Sequence, residues 1–157
     1  MKNGIKWNRL FLCFAAVWGV YIAGVCLSGN VGAKYDMLLK PPFSPPGRLF
    51  TAIWPILYVL LGITVYIILE NHGKQKQTAI FLFCLQLTLN FLWSIVFFRF
   101  GLYWTAAAVI ILHSIVASAL CYSLAKLNLK ALLLNTAYLV WILFTAYLNL
   151  GFAIMNS

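Results

Sequence analysis

The sequence predicts an all-α fold: a single domain, residues 1–157, built as an integral membrane bundle of five transmembrane helices. Hydrophobic residues make up 64% of the chain and charged residues 8%, too few ionisable side chains to coat a soluble domain. The charges fall in clusters. Between them lie five uncharged stretches, each longer than the roughly 20 residues that a helix needs to cross a bilayer.

The first predicted helix covers about residues 10–27 and follows a basic tail containing Lys2, Lys6 and Arg9. Secretory signals begin in the same way, but this apolar run is longer and no A-x-A cleavage site follows it, so we expect an uncleaved helix. The helix also carries a ridge of small residues at four-residue spacing, Ala15, Gly19 and Ala23. Such a ridge predicts a close helix contact, either inside the bundle, which we favour, or between two copies of the chain.

The longest predicted loop covers residues 28–47 and contains a proline-rich segment, residues 40–47, that we call the proline strap. Its prolines, Pro41, Pro42, Pro45 and Pro46, fix φ and remove backbone donors, so we expect a stiff, non-helical segment.

The second predicted helix covers about residues 49–69. Pro55 is expected to kink it near its start, because proline removes a hydrogen bond to the carbonyl about one turn earlier. Trp54 and Tyr58 are four residues apart and share one face.

The third predicted helix covers about residues 78–98. One of its faces carries Gln86, Asn90, Trp93 and Phe97. Because amides in hydrocarbon are costly unless paired, this face is expected to point into the bundle.

The fourth predicted helix covers about residues 103–125 and places His113 deep in a span. A haem ligand is one role for such a residue, but we favour a neutral histidine hydrogen-bonded to a neighbouring helix. No carboxylate lies inside any span. The sequence therefore indicates no metal site and no acid–base hydrolase.

The fifth predicted helix covers about residues 131–154 and carries a stripe of aromatic and polar residues: Tyr138, Trp141, Thr145, Asn149 and Phe152. Together, the stripes of the second, third and fifth helices predict a pocket with flat aromatic walls, suited to a large, planar, mostly apolar ligand with polar edges. The alternative is that the aromatic residues form interfacial belts and the amides join helices.

The net charge of +9 is spread over the ends of the spans rather than gathered in one patch. The basic residues therefore predict anchoring in a lipid bilayer and no nucleic-acid partner. The excess of Lys and Arg on the side of the N-terminal tail places the N-terminus in the cytoplasm, and helical spans favour a multi-pass protein of the cell membrane.

Several short motifs occur in one order: Tyr35-Asp36 and the proline strap, Ile53-Trp54 with Leu57-Tyr58, Gln86-Leu87 with Leu89-Asn90 and Trp93-Ser94, and Tyr138 with Trp141, Phe144 and Leu148-Asn149. With this order and spacing, the chain resembles the translocator protein family, also called tryptophan-rich sensory proteins or the TspO/MBR family, over essentially its full length.

The resemblance implies a five-helix bundle, often a homodimer, that needs no obligatory cofactor and binds a porphyrin such as protoporphyrin or haem beneath the first loop. The residues expected to bind the ligand are Tyr35, Pro41, Pro42, Phe43, Trp54, Tyr58, Gln86, Asn90, Trp93, Tyr138, Trp141, Thr145 and Asn149. Some bacterial family members promote light-dependent breakdown of protoporphyrin. Trp141 would be the catalytic residue of such a reaction, since its indole is easily oxidised.

The chain departs from the family pattern in ways that bear on its ligand. Lys34 stands where many members have Trp, and residues 151–157 contain no Lys or Arg, so the C-terminal sterol-recognition pattern of animal members is absent. Leu120-x-Tyr122-x-x-x-Lys126 fits a loose sterol formula that often matches by chance. Sterol transport is therefore not favoured.

The leading hypothesis is a membrane receptor or carrier for tetrapyrroles. The alternatives are a light-dependent porphyrin-degrading enzyme and a membrane scaffold or stress regulator that binds its ligand incidentally.

Overall fold

Six helices make up most of residues 5–156, the part of the chain that this computed structural model describes; Lys2 of the basic tail lies outside it. The helices are α1 (Trp7–Ser28), α2 (Val31–Met37), α3 (Gly47–Glu70), α4 (Lys76–Ser94), α5 (Tyr103–Ala125) and α6 (Leu129–Asn156). All except α2 are long and apolar enough to cross a membrane. The predicted all-α membrane bundle is confirmed, and the ends of the five spans, the third taken as Lys76–Arg99, lie within three residues of the predicted ones.

Two local features differ from the sequence prediction. The loop of residues 28–47 contains the short helix α2, because the prolines begin only at Pro41 and the side chain of Asn30 caps the helix by accepting a hydrogen bond from the Ala33 amide at 3.1 Å. The last turn of the third span, Ile95–Arg99, is a π-helix rather than an α-helix. The helix α3 continues through Pro55 without a break, and the kink expected there stays a prediction.

The helices surround a core in which α6 packs against α3 and α5, while α4 packs against α1, α3 and α5. The helix α1 lies at the periphery and buries only a narrow face, on which Cys13, Val17 and Gly24 lie.

The small-residue ridge of α1 does not make the contact inside the bundle that we favoured, so that prediction was wrong. Ala15, Gly19 and Ala23 are all exposed, and a β-carbon built on Gly19 would have no neighbour within 4 Å. A contact between two copies stays a prediction.

Residues 40–46 of the proline strap are non-helical, as predicted, and the segment is fixed to the C-terminal end of α6. The Leu39 amide donates to Asn156 Oδ1 at 2.8 Å, and Asn156 Nδ2 donates to the Leu39 carbonyl at 2.9 Å. The Pro41 ring lies so close to Gly151 that a β-carbon there would stand 2.5 Å from it. The Tyr147 hydroxyl donates to the Pro42 carbonyl at 2.9 Å.

Asp36, on α2, holds both ends of the strap. Its carboxylate accepts hydrogen bonds from Lys40 Nζ at 2.7 Å and from the Gly47 amide at 3.0 Å. These two hydrogen bonds hold the pKa of the Asp36 carboxyl below its ordinary value, and the bond from Lys40 has the larger effect.

This lowered pKa predicts an acid-sensitive attachment. Because the folded pKa lies below the unfolded one, Asp36 stabilises the fold above the ordinary aspartate pKa of about 3.9, and this contribution is lost as the pH falls through the folded value. The melting temperature of wild type should therefore drop more steeply below about pH 4 than that of Asp36→Asn. Parallel melting profiles over this range would refute the assignment.

Candidate functional site

A cavity of about 360 Å³ lies between α1, α2, α3 and α4. This volume is in the range of pockets that take drug-sized ligands. The residues that line it are Val20, Tyr21, Gly24, Val25, Gly29, Asn30, Val31, Gly32, Thr51, Trp54, Tyr58, Asn90, Phe91, Trp93, Ser94 and Phe98. The structure thus brings four of the predicted ligand-binding residues onto one wall: Trp54, Tyr58, Asn90 and Trp93.

Aromatic rings form two sides of the cavity. The rings of Trp54 and Trp93 lie 5.7 Å apart at an angle of 30°, and those of Tyr21 and Tyr58 lie 4.7 Å apart. The indole N–H of Trp93 donates to Asn149 Oδ1 at 2.7 Å, and Asn149 itself donates to the Tyr103 carbonyl at 3.0 Å. Asn149 therefore positions the Trp93 ring from behind the wall.

Asn90 gives this aromatic wall a polar group. Its Oδ1 accepts a 2.7 Å hydrogen bond from the Tyr58 hydroxyl, whereas its buried Nδ2 has no partner among the described residues. This nitrogen is shielded from the cavity, so the polar group that the wall contributes is the hydrogen-bonded pair of Tyr58 and Asn90.

The predicted site residues of α6 do not line this cavity. The Trp141 ring lies behind the wall, 6.3 Å from the Trp54 ring and edge-on to it, and its Nε1 has no partner within residues 5–156. Thr145 and Asn149 border only a void of about 10 Å³, which is too small for a ligand.

Gln86, Tyr138 and His113 belong to a buried polar layer between α4, α5 and α6. Gln86 donates to Asn135 Oδ1 at 3.1 Å, and the Tyr138 hydroxyl lies 3.2 Å from His113 Nε2. His113 is thus a core residue hydrogen-bonded to a neighbouring helix, which is the role we favoured from the sequence. Its ring does not reach the cavity, and no group of His, Cys, Asp or Glu among the described residues is placed to hold a metal ion.

The strap residues also lie away from the cavity. Pro41 and Pro42 rest on α6, and Phe43, which has a positive φ of 62°, is 89% exposed. Beneath the strap, the Tyr35 ring is fully buried and stacks on Phe50 at 4.5 Å. Burial raises the pKa of the Tyr35 hydroxyl to about 12, so this side chain stays neutral at physiological pH. Tyr35 therefore anchors α2 to the bundle, and the strap contacts it through Lys40, whose Nζ lies over the Tyr35 ring at 5.1 Å.

The observed cavity thus has different walls from the pocket expected between the second, third and fifth spans. The helices α1 and α2 stand where the fifth span, now α6, was expected. Sequence reasoning did not identify Tyr21 and Gly24, because the inner face of α1 carries no amide. The sequence signal that could have identified them is the spacing of Gly24, which follows Tyr21 by about one turn and does not belong to the small-residue ridge.

The loose sterol pattern does not form one surface. The Leu120 side chain is fully buried, whereas the Tyr122 ring is exposed and its hydroxyl accepts a hydrogen bond from Lys126 Nζ at 2.7 Å. A sterol on the outside of α5 would contact Tyr122 and Lys126 without Leu120.

Comparison with known proteins gives matches over nearly the whole chain. The TspO/MBR family matches residues 10–155. The chain is 36% identical over 151 residues to the tryptophan-rich protein TspO of Archaeoglobus fulgidus, covering 95% of this chain and 97% of that protein. It is 31% identical over 148 residues to the tryptophan-rich sensory protein of Cereibacter sphaeroides, covering 94% and 90%. It is 31% identical over 134 residues to the translocator protein of Ovis aries, covering 83% and 79%.

Proposed function

The chain belongs to the TspO/MBR family and is a multi-pass membrane protein, and we propose that it binds a tetrapyrrole such as protoporphyrin in the cavity between α1, α2, α3 and α4. The observation that carries the proposal is the pair of tryptophan rings on the wall that also holds the hydrogen-bonded Tyr58 and Asn90. Flat aromatic rings favour a planar macrocycle. On this proposal the protein is a receptor or carrier.

Filling the cavity from α1 tests this proposal. Gly24 lines the cavity, and its β-carbon would meet Phe91 Cδ2 at an ordinary 3.5 Å, so a longer side chain can extend into the free space. Gly24→Leu should weaken protoporphyrin binding by roughly tenfold or more, measured by tryptophan fluorescence quenching in lipid nanodiscs.

Gly19→Leu is the matched control, because Gly19 lies on the same helix with nothing near its β-carbon. It should bind protoporphyrin like wild type. Equal affinities for all three proteins, or no saturable quenching of wild type, would contradict binding in this cavity.

The same control bears on assembly. We propose that the protein is a homodimer that uses the exposed ridge of Ala15, Gly19 and Ala23, since small residues allow close helix contacts in lipid. Gly19→Leu should then shift the protein from dimer to monomer in light scattering, while its porphyrin affinity is retained. A dimer that survives this change does not use the ridge.

A second candidate function is light-dependent degradation of the bound porphyrin. It is favoured by the edge contact between Trp54, on the cavity wall, and Trp141 behind it, which links the ligand site to an oxidisable indole. In aerated solution under illumination, wild type should then bleach protoporphyrin faster than Trp141→Phe. Equal bleaching by both proteins and by buffer would exclude this function.

A further inference from the structure

Lys34 is a cation at the edge of the cavity without an acidic partner. It lies on α2 and is half-buried, and its ammonium donates to the Ser28 carbonyl at 2.9 Å and to the Phe98 carbonyl at 2.8 Å. Lys34 forms no ion pair within residues 5–156, where Asp36 pairs with Lys40 and Glu70 pairs with Lys6 and Arg9. No carboxylate of the described residues therefore pairs with its positive charge, which two helix-end carbonyls balance only in part.

Lys34 does not itself line the cavity, but its ammonium lies next to residues that do. Gly29 and Phe98 both line the cavity, and a β-carbon placed on Gly29 would stand 3.4 Å from Lys34 Nζ. The two carbonyls accept two of the three ammonium protons, which leaves one donor for another acceptor.

The tryptophan wall and the ammonium lie at different depths. Trp93 lies five residues before Phe98 along α4 and its π-helical turn, a separation of about 7.5 Å at the rise of an α-helix. A flat ligand that stacks on the tryptophans can thus reach the ammonium with a group on its edge. A charged hydrogen bond in a partly dehydrated site is strong, so the ammonium favours an anionic group.

We propose that Lys34 is the specificity-determining residue that binds a carboxylate of the ligand, so that the cavity selects carboxylate-bearing planar ligands over their neutral counterparts. This inference rests on the proposed function, since it assigns the charge and orientation of a ligand in the same cavity. The carboxylate lies at the α2 end of the cavity, and the macrocycle lies against the wall that Trp54 and Trp93 form together.

The test compares protoporphyrin with its dimethyl ester, which keeps the macrocycle and lacks the carboxylates. Affinities are measured in phosphatidylcholine nanodiscs by tryptophan quenching. Wild type should prefer the free acid by about tenfold. Lys34→Gln, which keeps a donor for the helix-end carbonyls, should lose this preference while its affinity for the ester is unchanged. Lys34→Arg should retain the preference.

Lys40→Gln is the matched control. Lys40 is a nearby lysine in the loop between α1 and α3, and its charge is already paired with Asp36. It should keep the wild-type preference. Wild type that binds acid and ester equally well would overturn the role of Lys34 and leave the proposed function standing, and this comparison does not depend on any variant folding. An equal loss of affinity for both ligands in Lys34→Gln would likewise overturn it, leaving Lys34 only a link between helix ends. If wild type binds neither porphyrin, the proposed function fails, and this inference with it.

Discussion

Replacing Trp54 or Trp93 with alanine should weaken protoporphyrin binding by about 30-fold in each case, which is about 2 kcal/mol. Both rings are nearly buried, line the cavity and lie 5.7 Å apart, so a macrocycle placed there loses a stacking surface when either ring is removed. Because the two rings would contact the same ligand, the double variant should lose less than the sum of the two single effects.

Binding of the single variants is measured by the change in the porphyrin absorbance band, which does not depend on the number of tryptophans left. Trp141→Ala and Trp104→Ala are the controls: Trp141 stands behind the wall, and Trp104 is exposed on α5. Each should change the affinity by less than about threefold. A larger loss in Trp141→Ala than in Trp93→Ala would place the ligand against α6 instead.

Phe50→Ala should reduce the free energy of unfolding by about 3 kcal/mol. The Phe50 ring is 2% exposed and contacts rings from three other helical segments. These rings are Tyr35 of α2 at 4.5 Å, Phe98 of the π-helical turn at 6.4 Å and Trp141 of α6 at 5.9 Å. We place the loss at the lower end for a buried phenylalanine, because the driving force in lipid is packing rather than exclusion of water.

Unfolding is followed by titrating sodium dodecyl sulfate into mixed micelles and measuring helix content. Phe81→Ala is the control, since Phe81 lies on α4 with its ring 66% exposed, and it should change stability by less than about 0.5 kcal/mol. Phe50→Ala should also loosen the strap, because Tyr35 loses its stacking partner. Comparable stability of the two variants would contradict the central position of Phe50.

The five spans were predictable because hydropathy alone separates them, and the helix ends followed from the charges and prolines around them. The helix α2 was not, since seven residues are too few for a periodic pattern and its start depends on the Asn30 cap. The π-helical turn at the end of the third span left no signal in the sequence either.

The candidate site was predicted in part, because an inward amide can serve either a ligand or a neighbouring helix. The structure separates the two cases. Gln86 donates to α6, and Asn149 both accepts and donates between helices, behind the wall, whereas Asn90 and its partner Tyr58 line the cavity. The contribution of α1 could not be predicted from polarity, since Gly24 and Val20 are as apolar as the lipid-facing residues beside them.

The most direct test of the binding site is a structure of the protein in lipid with protoporphyrin bound. The macrocycle should lie between α1 and α4, against Trp54 and Trp93, with a carboxylate within hydrogen-bond distance of Lys34 Nζ. A macrocycle found beneath the proline strap against Trp141, or on the outer surface of the bundle, would contradict this account.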